Sequence, residues 1–410
     1  MAMKTRAFRH PGAPRASRGF SLVELMVASA VGLLVALAVT GAVVTAGRQA
    51  SVIGSTAATQ NSAQVGLSLM DLSARAAGAG FYSSRQPICP TWNAWNGSAM
   101  VSDGGRFMPA RIVSGGASGA SDTLVLTGGS GHRTLAAAPV MTDVTGAGSS
   151  IKVTVSDFES GDLALIGAPG SGQPCTLFEV SQAPSLTSVC GGHATQCQQL
   201  VRNPGSGLNS APTAYAMRPV YGFDDSGLAT AAPAVVSRVG STASGFHQDA
   251  YTVQCESLVR YDAFATATPP SCSASPLSFG AGVDAIATGI VLLRAQYGVS
   301  ASAESDVVTD WVDAAGPDWG GTPSAADIGR IKAVRVVLVA RSSEPEGTAV
   351  TAPCTNAAGV SNTGPCSFED AAAPAINVAS APLPAGRSWQ NYRYRVHTAI
   401  LPLRSVIWSD

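Results

Sequence analysis

The chain has 410 residues, enough for one large domain or two smaller ones to bury a core unaided, and only 12% of them are charged. A composition this rich in small residues and poor in charge argues against a charged, helical cytosolic protein and fits a strand- and loop-rich one. The formal charge of −1 hides an asymmetry: five of the 25 Lys and Arg residues (Lys4, Arg6, Arg9, Arg15, Arg18) precede Gly19 with no acid among them, so the remainder carries 20 basic against 26 acidic residues, a net −6. A chain of that sign has no general electrostatic footprint for nucleic acid.

Residues 1–19 form a basic leader containing Pro11 and Pro14, and residues 20–46 carry a single charge, Glu24. As a helix those 27 residues would reach roughly 40 Å, against about 30 Å for a bilayer core. The positive flank predicts a cytoplasmic N-terminus and an exported C-terminal bulk. A secretory signal ending at Ala36-Leu37-Ala38, or a plain anchor, fits the apolarity, but neither gives Glu24 a task, and a carboxylate there costs about 2.5 to 3.5 kcal/mol. The run Arg18-Gly19-Phe20-Ser21-Leu22-Val23-Glu24-Leu25 resembles the prepilin cleavage motif of type IV pilins. The resemblance implies that prepilin peptidase cuts between Gly19 and Phe20, that Phe20 is N-methylated, and that Glu24 meets the N-terminal amine of a neighbouring subunit. Such a pair neutralises a charge in lipid and would fix the axial register.

Val65, Leu69, Leu72 and Ala76 then recur at helical spacing up to Gly78-Ala79-Gly80, so residues 47–80 are predicted to be the amphipathic half of the same helix, with that row facing the domain. Beyond it, short β-branched runs at 123–127, 151–155, 163–166, 176–180 and 257–261 predict strands between turns. Alternation at 291–299 and 392–396 predicts strands with one face to a core, and 331–340 a continuously apolar strand. Gly/Ser/Ala-rich stretches at 114–121, 203–214 and 226–245 are predicted to be surface loops or insertions. The eight cysteines all lie beyond the apolar span, which favours disulfides in an oxidising compartment. Nearest neighbours suggest Cys190 with Cys197, Cys255 with Cys272 and Cys354 with Cys366, leaving Cys89 for Cys175, one of many connectivities open to eight cysteines.

Three segments, residues 289–299 (Gly-Ile-Val-Leu-Leu-Arg-Ala-Gln-Tyr-Gly-Val), 331–342 (Ile-Lys-Ala-Val-Arg-Val-Val-Leu-Val-Ala-Arg-Ser) and 392–396 (Tyr-Arg-Tyr-Arg-Val), resemble the PilW family of minor pilins, as does the helix end around Leu69, Leu72, Arg75 and Phe81. Residues 85–280 carry no such resemblance. The implied fold is α+β and pilin-like: a long N-terminal helix, transmembrane then amphipathic, on an antiparallel sheet with loop and strand insertions, divided into 81–285 and 286–410. The implied role is a minor pilin that initiates type IV pilus assembly. It would wait in the inner membrane as a single-pass protein with a periplasmic domain and then sit at the pilus tip. Its implied partners are other minor pilins, the major pilin, prepilin peptidase, the inner-membrane assembly platform and a tip adhesin, with no cofactor. A minor pseudopilin of a type II secretion system, or a tip subunit that binds surfaces or DNA, is the alternative.

Glu304, Asp306, Asp310 and Asp313 crowd a predicted acidic loop, but Ser305, Val307 and Val308 stand where calcium would want oxygen donors and a turn glycine, so a solvated turn is favoured. Cys190, His193 and Cys197 could offer three zinc ligands, though a small disulfide loop is the simpler expectation. The glycines at 128–131 and 167–172 lack the Lys-Ser or Lys-Thr of a phosphate cradle and are predicted to be turns. Trp92 and Trp95 beside Cys89 are expected to pack locally. No nucleophile or metalloprotease motif is present, so no catalytic residue and no metal site is predicted.

Overall fold

The computed structural model describes residues 19, 21–83, 86–116, 120–129, 137–142, 144, 150–169, 171–190, 195–205, 207–209, 234–241, 245–266, 271–274, 277–383 and 385–407, with side chains left out at 48–53 and 55–60. The leader residues 1–18, Phe20 and His193 lie outside them. The chain divides into two compact units, residues 1–54 and 55–410. One helix, α1 (Leu22–Ala76), makes up most of the first and enters the second.

The principal strands of the second unit are β1 (Thr91–Trp95), β2 (Met100–Arg106), β3 (Ala110–Val113), β4 (Thr123–Gly129), β5 (Asp162–Gly167), β6 (Cys175–Glu179), β7 (Val235–Ser241), β8 (Phe246–Gln254), β9 (Ser257–Asp262), β10 (Val283–Thr288), β11 (Ile290–Ser300), β12 (Val308–Asp313), β13 (Ile331–Arg341) and β14 (Tyr394–Pro402). They build a five-stranded antiparallel sheet in the order β10-β9-β8-β4-β3 and a four-stranded antiparallel sheet in the order β12-β11-β13-β14. A six-stranded sheet runs β2-β1-β6-β5-β7 and ends on Ala138–Pro139, with β1 and β6 parallel. The architecture is α+β and mostly antiparallel.

The helix turns a different face to the domain from the one its bulky residues mark. Ala63, Gly66, Met70, Ser73, Ala74 and Ala77 are buried, whereas Val65 is 53% and Leu72 66% exposed. Small residues win because the sheets approach closely: a Cβ on Gly66 would stand 2.6 Å from Leu258 Cδ2. Polar contacts fix the register. Ser73 Oγ donates to Asp249 Oδ2 at 2.6 Å and lies 2.9 Å from the Tyr251 hydroxyl, and Ser405 Oγ donates to the Arg75 carbonyl. The helix ends at Ala76, where Ala77 bridges to Gly128 and the Gly78 N–H donates to the Thr127 carbonyl. Gly128 and Gly129 are therefore strand residues of β4 rather than a turn, because a Cβ on either would strike the backbone of Ala76 or Val239.

Four further corrections concern the strands. Residues 235–241 form β7 and not a loop: Val236 and Val239 are fully buried, and a bulge at Gly240, with φ +155°, obscures the alternation. β11 shows no solvent face, since helix and central sheet cover one side and the connection 342–393 covers the other. That connection is stapled by Cys354–Cys366 and pinned by Arg335. The Arg335 guanidinium is held between the Trp311 and Phe368 rings, with hydrogen bonds to Gln296, Asp370 and the Ala372 carbonyl. The predicted strand at 392–396 begins at Tyr394 and runs to Pro402. Finally, the acidic segment is only partly a loop: Asp310 and Asp313 lie on β12, an edge strand, where charge is tolerated.

Candidate functional site

The residues that carry the N-terminal motif sit at the start of α1. Gly19 is exposed, and Ser21 precedes the first helical residue, Leu22. The Ser21 hydroxyl accepts from the Glu24 N–H at 3.1 Å while the Glu24 carboxylate accepts from the Ser21 N–H at 3.3 Å. This is a capping box, which satisfies two of the donors a helix start leaves free and sets a carboxylate against the positive end of the dipole. Glu24 thus has a local partner that the sequence reading overlooked, although Ser21-Leu22-Val23-Glu24 spells the pattern.

From Leu22 to Gly47 the helix is long and apolar enough to cross a membrane. Its side chains are exposed throughout, Leu22, Leu25, Leu34 and Leu37 among them. The hydroxyls that interrupt it are satisfied within the helix: Ser29 donates to the Met26 carbonyl, Thr40 to Ala36 and Thr45 to Gly41. That is what a helix surrounded by lipid or by other helices requires, because no water is there to take the bond.

The eight cysteines form Cys89–Cys175, Cys190–Cys197, Cys255–Cys272 and Cys354–Cys366, with Cα separations of 5.5 to 6.2 Å. The first joins β6 to the approach to β1, and Gly167 has no side chain because a Cβ there would meet both sulfurs. Trp92 packs edge-on against Phe81 and Phe107 in the core. Among the described residues no three His, Cys, Asp or Glu side chains gather as a metal site needs. One trio invites a catalytic reading, Ser73, Asp249 and His247. There the serine donates to the carboxylate, and the imidazole lies 3.8 Å beyond on Asp249, so no base acts on the hydroxyl. Burial pushes the neighbouring Tyr251 hydroxyl up to about 12, and it serves as a helix latch.

Residues 14–45 match the family model of the prokaryotic N-terminal methylation motif. With the capped apolar helix and the antiparallel domain behind it, this defines a type IV pilin-like protein. Residues 278–405, which span the whole β12-β11-β13-β14 sheet and its covering connection, match the type IV pilus-assembly protein W model. The chain is thus similar to PilW-type pilus-assembly proteins over this C-terminal region and carries the N-terminal motif as well, which marks it as a type IV pilus-associated, pilin-like protein. No curated protein and no solved structure matches it.

Proposed function

We propose that the chain is a minor pilin that helps to initiate type IV pilus assembly, in a complex with other minor pilins at the pilus tip. Prepilin peptidase cuts between Gly19 and Phe20 and Phe20 is N-methylated. The apolar helix holds the subunit in the inner membrane with its domain in the periplasm, and the assembly platform then withdraws it. Lateral packing against neighbouring helices replaces lipid contacts of similar apolarity, so small differences in fit decide the exchange. Glu24, freed from part of its local bond, accepts the amine of the adjacent subunit.

The observation that supports this best is the register between motif and helix: Ser21 caps, α1 begins at Leu22, and the exposed, predominantly apolar stretch runs on to Gly47. Mass spectrometry of the mature N-terminus tests it. The expected species begins with methylated Phe20, and a start near Val39 would identify ordinary signal-peptidase processing and overturn the reading.

A further inference from the structure

The four-stranded sheet ends in two open edges of opposite charge. On β12 and just after it the acids are Asp310, Asp313 and Asp318, with no Lys or Arg between Arg294 and Arg330 in the sequence; Glu304, before the strand, lies beside Lys332. Around β14 stand Arg393, Arg395 and Arg404, with no Asp or Glu between Asp370 and Asp410. Thr309, Asp310 and Asp313 are exposed on one edge, and Arg395, Thr398 and Ile400 on the other. Arg393 is partly neutralised by Glu346 at 2.9 Å, but Arg395 has no hydrogen-bond or ion-pair partner among the described residues. A cleft of about 210 Å³ opens at the head of β14, lined in part by Ser342, Thr351, Arg393 and Arg395, which can receive a carboxylate.

Charge on an edge strand usually guards against unwanted pairing, and like charges along each edge do that here: two β14 edges repel, as do two β12 edges. Guarding does not require opposite signs on the two sides. That arrangement leaves one attractive combination, β14 of one copy against β12 of another. Strand direction permits it as well. Because β12, β11, β13 and β14 alternate in direction, a second copy facing the same way presents its β12 antiparallel to β14, and the ladder continues. We infer that the β14 edge takes the β12 edge of a second copy of this chain, extending the antiparallel sheet from one subunit to the next. The contact is head-to-tail and does not close, so repetition makes an open row of subunits.

The test is sedimentation velocity of the full-length protein in a nonionic detergent, which needs no pilus and so is independent of the proposed function. The expected result is self-association that grows with protein concentration in about 30 mM salt and fades by about 300 mM, where the Debye length has shortened severalfold. Arg395→Glu and Asp310→Arg alter exposed side chains, and circular dichroism checks that each variant is folded. Each alone should raise the dissociation constant about tenfold, and an equimolar mixture of the two should recover association, since the mixture again offers opposite edges. A wild type that stays monomeric overturns the inference, including the case where β14 binds an acidic strand of a different subunit. So does association that neither substitution weakens, or a mixture no better than its components.

Discussion

Met70→Ala and Leu72→Ala separate the helix face that docks from the face that merely carries bulky residues. Met70 is fully buried against the core, and the substitution removes three heavy atoms. At about 0.8 kcal/mol per group the transfer loss is roughly 2.4 kcal/mol, and the cavity left in an interior that cannot fully collapse brings the cost to about 3 to 4 kcal/mol. Leu72 is 66% exposed, so the same truncation should change stability by no more than about 0.5 kcal/mol. Helix propensity does not confound the pair, because Met and Leu lie close together on that scale. Urea unfolding of the full chain in detergent micelles, followed by tryptophan fluorescence, reads both. With a slope of about 3 kcal/mol/M, Met70→Ala should lower the midpoint by about 1 M and Leu72→Ala leave it within error. Equal losses, or a larger loss at Leu72, would show that the row Val65, Leu69, Leu72 docks after all.

Glu24→Gln keeps an amide able to complete the capping box but removes the charge, so processing at Gly19 should continue while recovery in sheared pili falls; wild-type piliation at normal protein levels would leave capping as the residue's whole role. Cys89 and Cys175 are 86 residues apart and Cys190 and Cys197 only 7, so replacing the first pair by serine should cost about 4.5 kcal/mol and the second about 2.5, measured as the difference in urea midpoints. Burial and the neighbouring Arg395 push the His397 imidazole below its ordinary value. The unfolded chain therefore binds the proton more readily: stability is full above about pH 6.5 and falls as the pH drops through the lower folded value. His397→Gln should flatten that part of a stability profile taken between pH 7.5 and 5, and an unchanged profile would remove this histidine as its source.

The sequence announces the long apolar helix because a segment able to cross lipid needs a sustained apolar run, and the nearest-neighbour cysteines pair because short spans keep thiols close. It hides the docking face of α1. Periodicity rewards Val and Leu, yet a helix laid close on sheets needs Ala63, Gly66, Ala74 and Ala77 inward, and small residues register weakly on any apolar scale. Strand β11 hides for the opposite reason. Its alternation of apolar with Arg294 and Gln296 implies a wet face, but both side chains are buried against protein partners: Arg294 donates through its terminal nitrogens to Asp122 and the Gly116 carbonyl, and Gln296 accepts from Arg335. Nothing local predicts that residues 342–393 fold back to supply such partners.

A helix that buries Ala63, Gly66, Ala74 and Ala77 beside Met70 while leaving Val65 and Leu72 outward departs from the usual amphipathic logic, and the departure has a physical consequence. Val65 and Leu72 leave exposed apolar surface, which is unfavourable in water at about 25 cal/mol per Å². Asp71 and Arg75, paired on the surface of the same helix, keep it soluble without covering those side chains. Farther back along α1, from Leu22 to Gly47, every residue is exposed over a stretch long and apolar enough to cross a membrane. An element that served only to anchor would have no reason to keep bulky apolar residues outward beyond the membrane. An element that must also lie beside other helices gains contact area from each one, at the cost of holding it exposed until they arrive.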